Sequence, residues 1–279
     1  MDPQKIKEQI INDLSDQIPE LIDGENDFLL NRLTSKKNIV FELIFKKKPE
    51  NFPKVVILKL FRTEFTEIEY NALKKLEKQN LTVPKVLFFK KPYILMEKVN
   101  GINLTNYINN NLKNITSLKE IKHQIRRKIK LGIKNLAKWV ALLHKNNLIS
   151  RNNEHGFIVF NKGDTRLRDF LYNPSTNIIY GMDFEESYEG NFHDDLAWIC
   201  CSLLDTDPGI FEMDEPRHKI ELIKVFLKKY FKVNSDFPFS FEYFADRLIE
   251  NINIVIERRD LEFGQVRKEM ILKKITGIL

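Results

Sequence analysis

The hydrophobic pattern changes character once along the chain, and that change constrains the fold more than any other feature of the sequence. Before Asn100-Gly101, short apolar runs at strand length recur between polar turns: Phe28–Leu33, Ile39–Phe45, Val55–Phe61, Val86–Phe89 and Tyr93–Glu97. Two helical patterns accompany them. One covers residues 3–22, with Ile6, Ile10, Ile11, Leu14, Ile18 and Leu21 at helical spacing up to the Asp23-Gly24 breaker. The other runs from Glu64 to Lys78, with Ile68, Ala72, Leu73 and Leu76 on one face. After Asn100-Gly101 helices dominate: Leu104–Asn111, a long helix from about Leu118 to Asn146 with Leu131, Leu136, Val140 and Leu143 inward, then Asp195–Leu204, Pro216–Phe231, Phe239–Ile256 and Val266–Ile278. A chain of 279 residues has room for two compact lobes of this kind and little else. The expectation is an α+β protein with a sheet-rich lobe over residues 1–99 and a helical lobe over 100–279.

Composition excludes several classes. Hydrophobic residues make up 43% and charged residues 30%, which describes a globular chain with ample core material rather than a disordered one. The net charge of +6 is spread among acids along the whole length, with no basic stripe interleaved with aromatics, so nucleic-acid binding is not expected. No apolar run approaches the roughly 20 residues of a membrane helix. The two cysteines, Cys200 and Cys201, are adjacent, and neighbours on a helix point to different faces, which suits neither a local disulfide nor a metal pair. A reducing, cytoplasmic setting fits best.

One stretch of the helical half is not helical. Between Phe157 and Phe184, two strand-like runs, Phe170-Leu171-Tyr172 and Ile178-Ile179-Tyr180, flank the turn Asn173-Pro174-Ser175-Thr176. The stretch carries Asp164, Asp169 and Asp183, and a tight hairpin brings its two ends, with Asp164 before the first strand and Asp183 after the second, to one edge. Irregular segments inside compact domains commonly serve function. In the sheet-rich half, Lys59 ends an apolar run, and a lysine in a half-buried strand needs an anionic partner to stay charged; Glu69 lies on the helix that follows.

The segments Gly-Asp-Thr-Arg-Leu-Arg-Asp from Gly163 and Gly-Met-Asp-Phe-Glu from Gly181, with their two key aspartates nineteen residues apart, resemble the catalytic loop and metal-binding segment of aminoglycoside and choline phosphotransferase-like kinases. Val83-Pro84, the run Tyr93–Glu97 as a hinge, Leu142-Leu143-His144 and Asp195-Leu196-Ala197 are similar to further elements of that family. The resemblance spans roughly residues 28–205 and implies a bilobal kinase-like fold that transfers the ATP γ-phosphoryl group to a hydroxyl with the help of Mg²⁺. It implies Asp164 as the residue that orients the acceptor hydroxyl or takes its proton, Asp169 and Asp183 as metal ligands, Lys59 held by Glu69 against the phosphates, and backbone at Glu97 and Val99 facing adenine. It also implies a bracing role for His144 and, for Asp195, a cap at the start of the next helix.

The sequence departs from the family in two places: Lys162 stands where the family has histidine before Gly-Asp, and Asp169 stands where it has asparagine. The turn Thr34–Asn38 also lacks the glycines of a phosphate-covering loop. Arg166 and Arg168 are open between steadying phosphate and pairing with Asp169. A small-molecule acceptor is preferred over a protein one, because only about a dozen residues separate Asp183 from Asp195. Asp205, Asp207, Glu212, Asp214 and Glu215 either attract a cationic amino-alcohol or aminosugar or form a solvated acidic loop. A nucleotide-binding pseudokinase is the competing reading.

Overall fold

A computed structural model describes residues 3–21, 27–35, 37–62, 64–151, 156–213 and 216–260. They fall into two compact units, one made of the residues up to Lys78 with Val83–Val99, the other of Gln79–Thr82 with the residues from Asn100 onward.

The first unit begins with α1 (Pro3–Leu14) and a single 3-10 turn, Pro19–Leu21. The expected helix over 3–22 is therefore broken, since Pro19 has no N–H to donate and disfavours helical backbone at Ile18. The Asp23-Gly24 breaker lies outside the described residues. Strands β1 (Phe28–Leu33), β2 (Ile39–Phe45), β3 (Val55–Leu60), β4 (Val86–Lys90) and β5 (Tyr93–Glu97) form one antiparallel sheet in the order β1-β2-β3-β5-β4. Alternation along β2 and β3 sends Phe41, Leu43, Phe45, Val56, Leu58 and Leu60 into a core shared with Ile6, Ile10 and Leu14 of α1. Each such side chain contributes about 1.5–3 kcal/mol by leaving water. Asp13 of α1 accepts from Tyr93 Oη at 2.9 Å and pairs with Lys90 Nζ at 2.7 Å, tying the helix to β4 and β5. Helix α2 (Thr66–Lys78) buries Glu69, Ala72, Leu73 and Leu76 but leaves Ile68 42% exposed. At 100° per residue Glu69 falls at the centre of the face made by Ala72, Leu73 and Leu76, and Ile68 at its edge.

In the second unit, β6 (Ile102–Asn103) leads into α3 (Leu104–Leu112), whose first turn is capped by Asn103 Oδ1 accepting from the N–H groups of Thr105 and Asn106 at 3.1 and 3.4 Å. The long helix is shorter than expected: α4 spans His123–Asn146, and Leu118–Glu120 is a separate 3-10 turn closed by Ser117 and Glu120. Its buried stripe is Ile129, Ile133, Leu136, Val140 and Leu143, whereas Leu131 is 38% exposed. Two residues from Ile129 is roughly 200° around the helix, which turns Leu131 to the opposite side. After α4 come β7 (Leu148–Ser150), β8 (Ile158–Asn161), the hairpin β9 (Phe170–Asn173) and β10 (Ile178–Gly181), then β11 (Tyr188–Asn191). They build two three-stranded sheets, β10-β9-β6 and β11-β8-β7. Of these the sequence reading anticipates the hairpin; it passes over the apolar run Ile-Val-Phe of β8, while Tyr-Glu-Gly-Asn in β11 has no apolar alternation and β6 and β7 are two or three residues long. Helices α5 (His193–Leu204), α6 (Arg217–Val233) and α7 (Phe241–Arg258) complete the unit; the expected helix Val266–Ile278 lies outside the described residues. Among the described residues no helix is long and apolar enough to cross a membrane.

Candidate functional site

The hairpin is the scaffold of the acidic site in the second unit. Its register pairs Asn173 with Ile178 and Phe170 with Gly181, so Asp169 and Met182 meet at the open end, where Met182 N–H donates to Asp169 C=O at 2.9 Å. Asp183 follows at once with φ of 63°, and Asp164, on the loop between β8 and β9, has φ of 37°. Two aspartates in left-handed backbone at one site cost on the order of 1–3 kcal/mol each, a strain that packed surroundings must hold in place. Gly163, at φ of 73°, cannot be replaced cheaply, since a Cβ there would lie 2.0 Å from the Glu186 carbonyl oxygen.

The loop is held from below by Asp195. Helix α5 starts at His193, so Asp195 lies inside its first turn and is not the cap expected from the sequence. Instead the buried carboxylate satisfies the loop: Oδ2 accepts from the Lys162 N–H at 2.9 Å, and Oδ1 accepts from the Gly163 N–H at 3.2 Å and from the Thr165 hydroxyl. His144 Nε2 lies 3.1 Å from Oδ2 and its Nδ1 lies 2.8 Å from Tyr230 Oη; the carboxylate makes Nε2 the protonated nitrogen and Nδ1 the acceptor. Burial pushes the Asp195 carboxyl up, but the donors from His144, Thr165 and the Lys162 peptide outweigh it and leave the group below its ordinary value. His144 is thus a brace, in line with the reading of the sequence.

Asp164 is clamped. Arg166 Nε and Nη2 donate to its two oxygens at 2.7 and 2.6 Å, Arg258 Nη1 lies 3.7 Å away, and the guanidinium of Arg166 sits 5.1 Å above the Trp198 ring. Sequence reasoning left Arg166 between phosphate and Asp169 and missed this pair. Only the peptide N–H of Arg166 reaches the Asp169 carboxylate, at 3.2 Å, while Arg168 Nε lies 3.8 Å from it. Asp169 is largely buried, and burial pushes its carboxyl up; Lys162 and Arg168 pull it down, whereas the nearby Asp183 adds to the rise. Lys162 is 1% exposed, donates from Nζ to the Asp183 carbonyl oxygen at 2.9 Å, and lies 3.9 Å from Asp169 Oδ2.

In the first unit, Lys59 and Glu69 meet. Nζ lies 2.5 Å from Oε2, with Lys59 8% and Glu69 2% exposed, so neither is the solvent-facing residue it would be by default. Glu97 closes β5: its N–H donates to Lys85 C=O at 2.9 Å and its side chain accepts from the Lys85 N–H at 3.1 Å. Val99 follows β5, half-buried. The acidic loop beyond α5 meets resident cations. Asp205 pairs with Arg259 at 2.9 Å and Asp207 lies 3.7 Å from Lys113, while the buried Lys219 donates to Thr206 O and Oγ1 at 2.5 and 2.6 Å. Burial drags Lys219 down to about 8, and Asp205, Asp207 and Glu212 oppose that drop. Asp214, Glu215 and Lys36 lie outside the described residues.

No protein-family model matches the chain. Over 135 residues it is 31% identical to the EKC/KEOPS complex subunit BUD32 of Enterocytozoon bieneusi, a match covering 47% of this chain and 57% of that protein, so the chain spans little more than half of that relative's length. Among solved structures, choline kinase LicA from Streptococcus pneumoniae superposes with a TM-score of 0.56 at 15% identity, covering 98% of this chain and 97% of that one. An aminoglycoside-3'-phosphotransferase of type VIII superposes at 0.55 and 14%, covering 85% and 98%, and the Plasmodium vivax ethanolamine kinase at 0.52 and 14%, covering 99% and 88%. The α+β architecture of this chain is therefore the protein-kinase-like fold, in the form that aminoglycoside phosphotransferases and choline kinases share.

Proposed function

We propose that the chain is a phosphotransferase that moves the γ-phosphoryl group of ATP to a hydroxyl of a small molecule. The observation that carries this reading is the pair Asp164 and Asp183, each in left-handed backbone, at the two ends of one hairpin and held by a buried network anchored on Asp195. Left-handed backbone also occurs at Asn80, Asn114, Asn177 and Asp260; this pair differs in flanking one hairpin beside a third carboxylate, Asp169. Asp164 orients the acceptor hydroxyl and takes its proton; Lys59, kept charged by Glu69, contacts the phosphates; main chain at Glu97 and Val99 faces adenine. Asp169 and Asp183 are carboxylates, the oxygen ligands a hard divalent cation takes, and would hold Mg²⁺. Mg²⁺, when bound there, supplies neutralisation of the phosphate charge. In transfer, the acceptor O–H bond breaks toward Asp164, the new P–O bond forms at the acceptor oxygen, and ADP leaves. The acceptor is a small hydroxylated molecule, and the two buried free thiols, Cys200 and Cys201, suit a cytoplasmic setting.

The bidentate Arg166 clamp favours a second reading, a nucleotide-binding module without transfer, since both oxygens of Asp164 are already engaged. One set of measurements separates the two. Thermal shift with ATP, with and without Mg²⁺, is expected to show metal-dependent stabilisation that Asp183→Ala removes. ATP turnover across hydroxylated amines and sugars is expected to disappear in Asp164→Ala. Binding with no turnover against any acceptor sinks transfer in favour of the binding module, and absence of any nucleotide-dependent shift sinks both.

A further inference from the structure

The loop before β9 and the turn after β10 are joined by one side chain. Lys162 gives its peptide N–H to Asp195 and sends its side chain the other way, to the Asp183 carbonyl oxygen. The ammonium is enclosed by the Phe170 and Phe184 rings, with centroids 5.8 and 5.5 Å away, and among the described residues Asp169 is the one carboxylate within ion-pair distance of it. An ammonium with 1% of the residue exposed is tolerated only with such compensation. Asp169 depends on the same contact. Its other cation, Arg168, is half-exposed and 3.8 Å away on the opposite oxygen, so water screens it. The two charges therefore answer each other in the interior, and the ammonium that balances Asp169 also fixes the peptide on which Asp183 turns.

We infer that Lys162 and Asp169 act as one positioning unit: the ammonium holds the Asp169 carboxylate and the Asp183 turn in a fixed relation, so neither residue can be exchanged without the other. The two departures of the sequence from the phosphotransferase pattern are then a single, compensated change. In its ion-binding consequence the inference rests on the phosphotransfer reading; in the coupling of the two side chains it does not.

The test is a double-mutant cycle on the full chain with two readouts. Thermal unfolding without ligand is measured for Lys162→Met, Asp169→Asn and the double variant. The expected result is strong non-additivity, with the double variant less destabilised than the sum of the singles. Binding of Mn²⁺ with a non-hydrolysable ATP analogue is followed by the loss of the free Mn²⁺ EPR signal. Lys162→Met is expected to weaken it about 10- to 100-fold, Lys162→Arg to weaken it less, and the combination Lys162→His with Asp169→Asn to recover most of the loss. Additive midpoints overturn the inference, as does unchanged Mn²⁺ affinity in a folded Lys162→Met. If Lys162→Met fails to fold, the arginine variant and the histidine–asparagine pair carry the comparison. Coupled midpoints in a protein whose wild type takes up no Mn²⁺ with nucleotide support the pair and overturn the phosphotransfer reading alone.

Discussion

Replacing Asp195 by asparagine tests the brace beneath the loop with almost no change of shape. The carboxylate accepts four bonds, two per oxygen: the Lys162 N–H and His144 Nε2 on one, the Gly163 N–H and the Thr165 hydroxyl on the other. An amide presents –NH₂ on one of these sides, whichever way it is turned. His144 can change tautomer and Thr165 can rotate its hydroxyl, but a peptide N–H has no such freedom, so one main-chain donor is orphaned at about 1–3 kcal/mol. The bonds that remain lose their charge assistance, about another 1–2 kcal/mol. The sum, about 2–5 kcal/mol, corresponds to a fall in thermal midpoint of roughly 4–20 °C. Because Asp195 is held below the ordinary carboxylate range, its contribution is complete above that range and is lost as pH falls through the folded value. Asparagine has no such dependence, so the gap between wild type and variant narrows on acidification. Circular-dichroism melts at neutral and acid pH read both effects. An unchanged midpoint at pH 7, or a gap that does not narrow in acid, would refute the reasoning.

Four further outcomes follow from the same geometry. Arg166→Ala frees both oxygens of Asp164 from the clamp and is expected to lower ATP turnover in steady-state kinetics on the folded variant; a rise in turnover contradicts an orienting role for the clamp. Lys59→Met leaves Glu69 buried without its ammonium, at a cost of about 3–5 kcal/mol, and is expected to abolish the ATP-dependent thermal shift; retention of that shift contradicts the phosphate role. Gly163→Ala places a Cβ 2.0 Å from the Glu186 carbonyl oxygen and should show reduced urea stability, whereas an unchanged urea midpoint would show that the loop can move aside. His193 is buried, which together with nearby His144 pushes it down to about 3, so it stays neutral while the unfolded chain takes up a proton below its ordinary value near 6.5. Stability should then decline by up to about 1.4 kcal/mol per pH unit between those limits, and His193→Gln should flatten that slope; parallel pH profiles for the two proteins would rule out the assignment.

How legible these features were in the sequence depended on the range of the interaction that decides them. The strands β1, β2 and β5 and the acidic hairpin follow from local alternation and turn chemistry, and they fall where that pattern puts them. Helix α2 buries Ala72, Leu73 and Leu76 of the face its apolar residues suggest, but Glu69 goes inside with them to meet Lys59, ten positions away, while Ile68 is left exposed. Asp195 looks like a helix cap from its neighbours alone; its actual partners are 30 to 51 positions away, at Thr165, Gly163, Lys162 and His144. Lys162 reads as an unexplained departure until its side chain is seen to reach Asp183, 21 positions on. The Arg166 clamp is the exception in distance, at two residues, and it was missed for a different reason: a rotamer choice between two nearby carboxylates leaves no trace in periodicity. Burial of an apolar residue is set by the face it occupies, which local spacing reports. Burial of a charge is set by its counter-charge, so at such positions the unit of inference is the pair, and a substitution there acquires meaning only when its partner is varied with it.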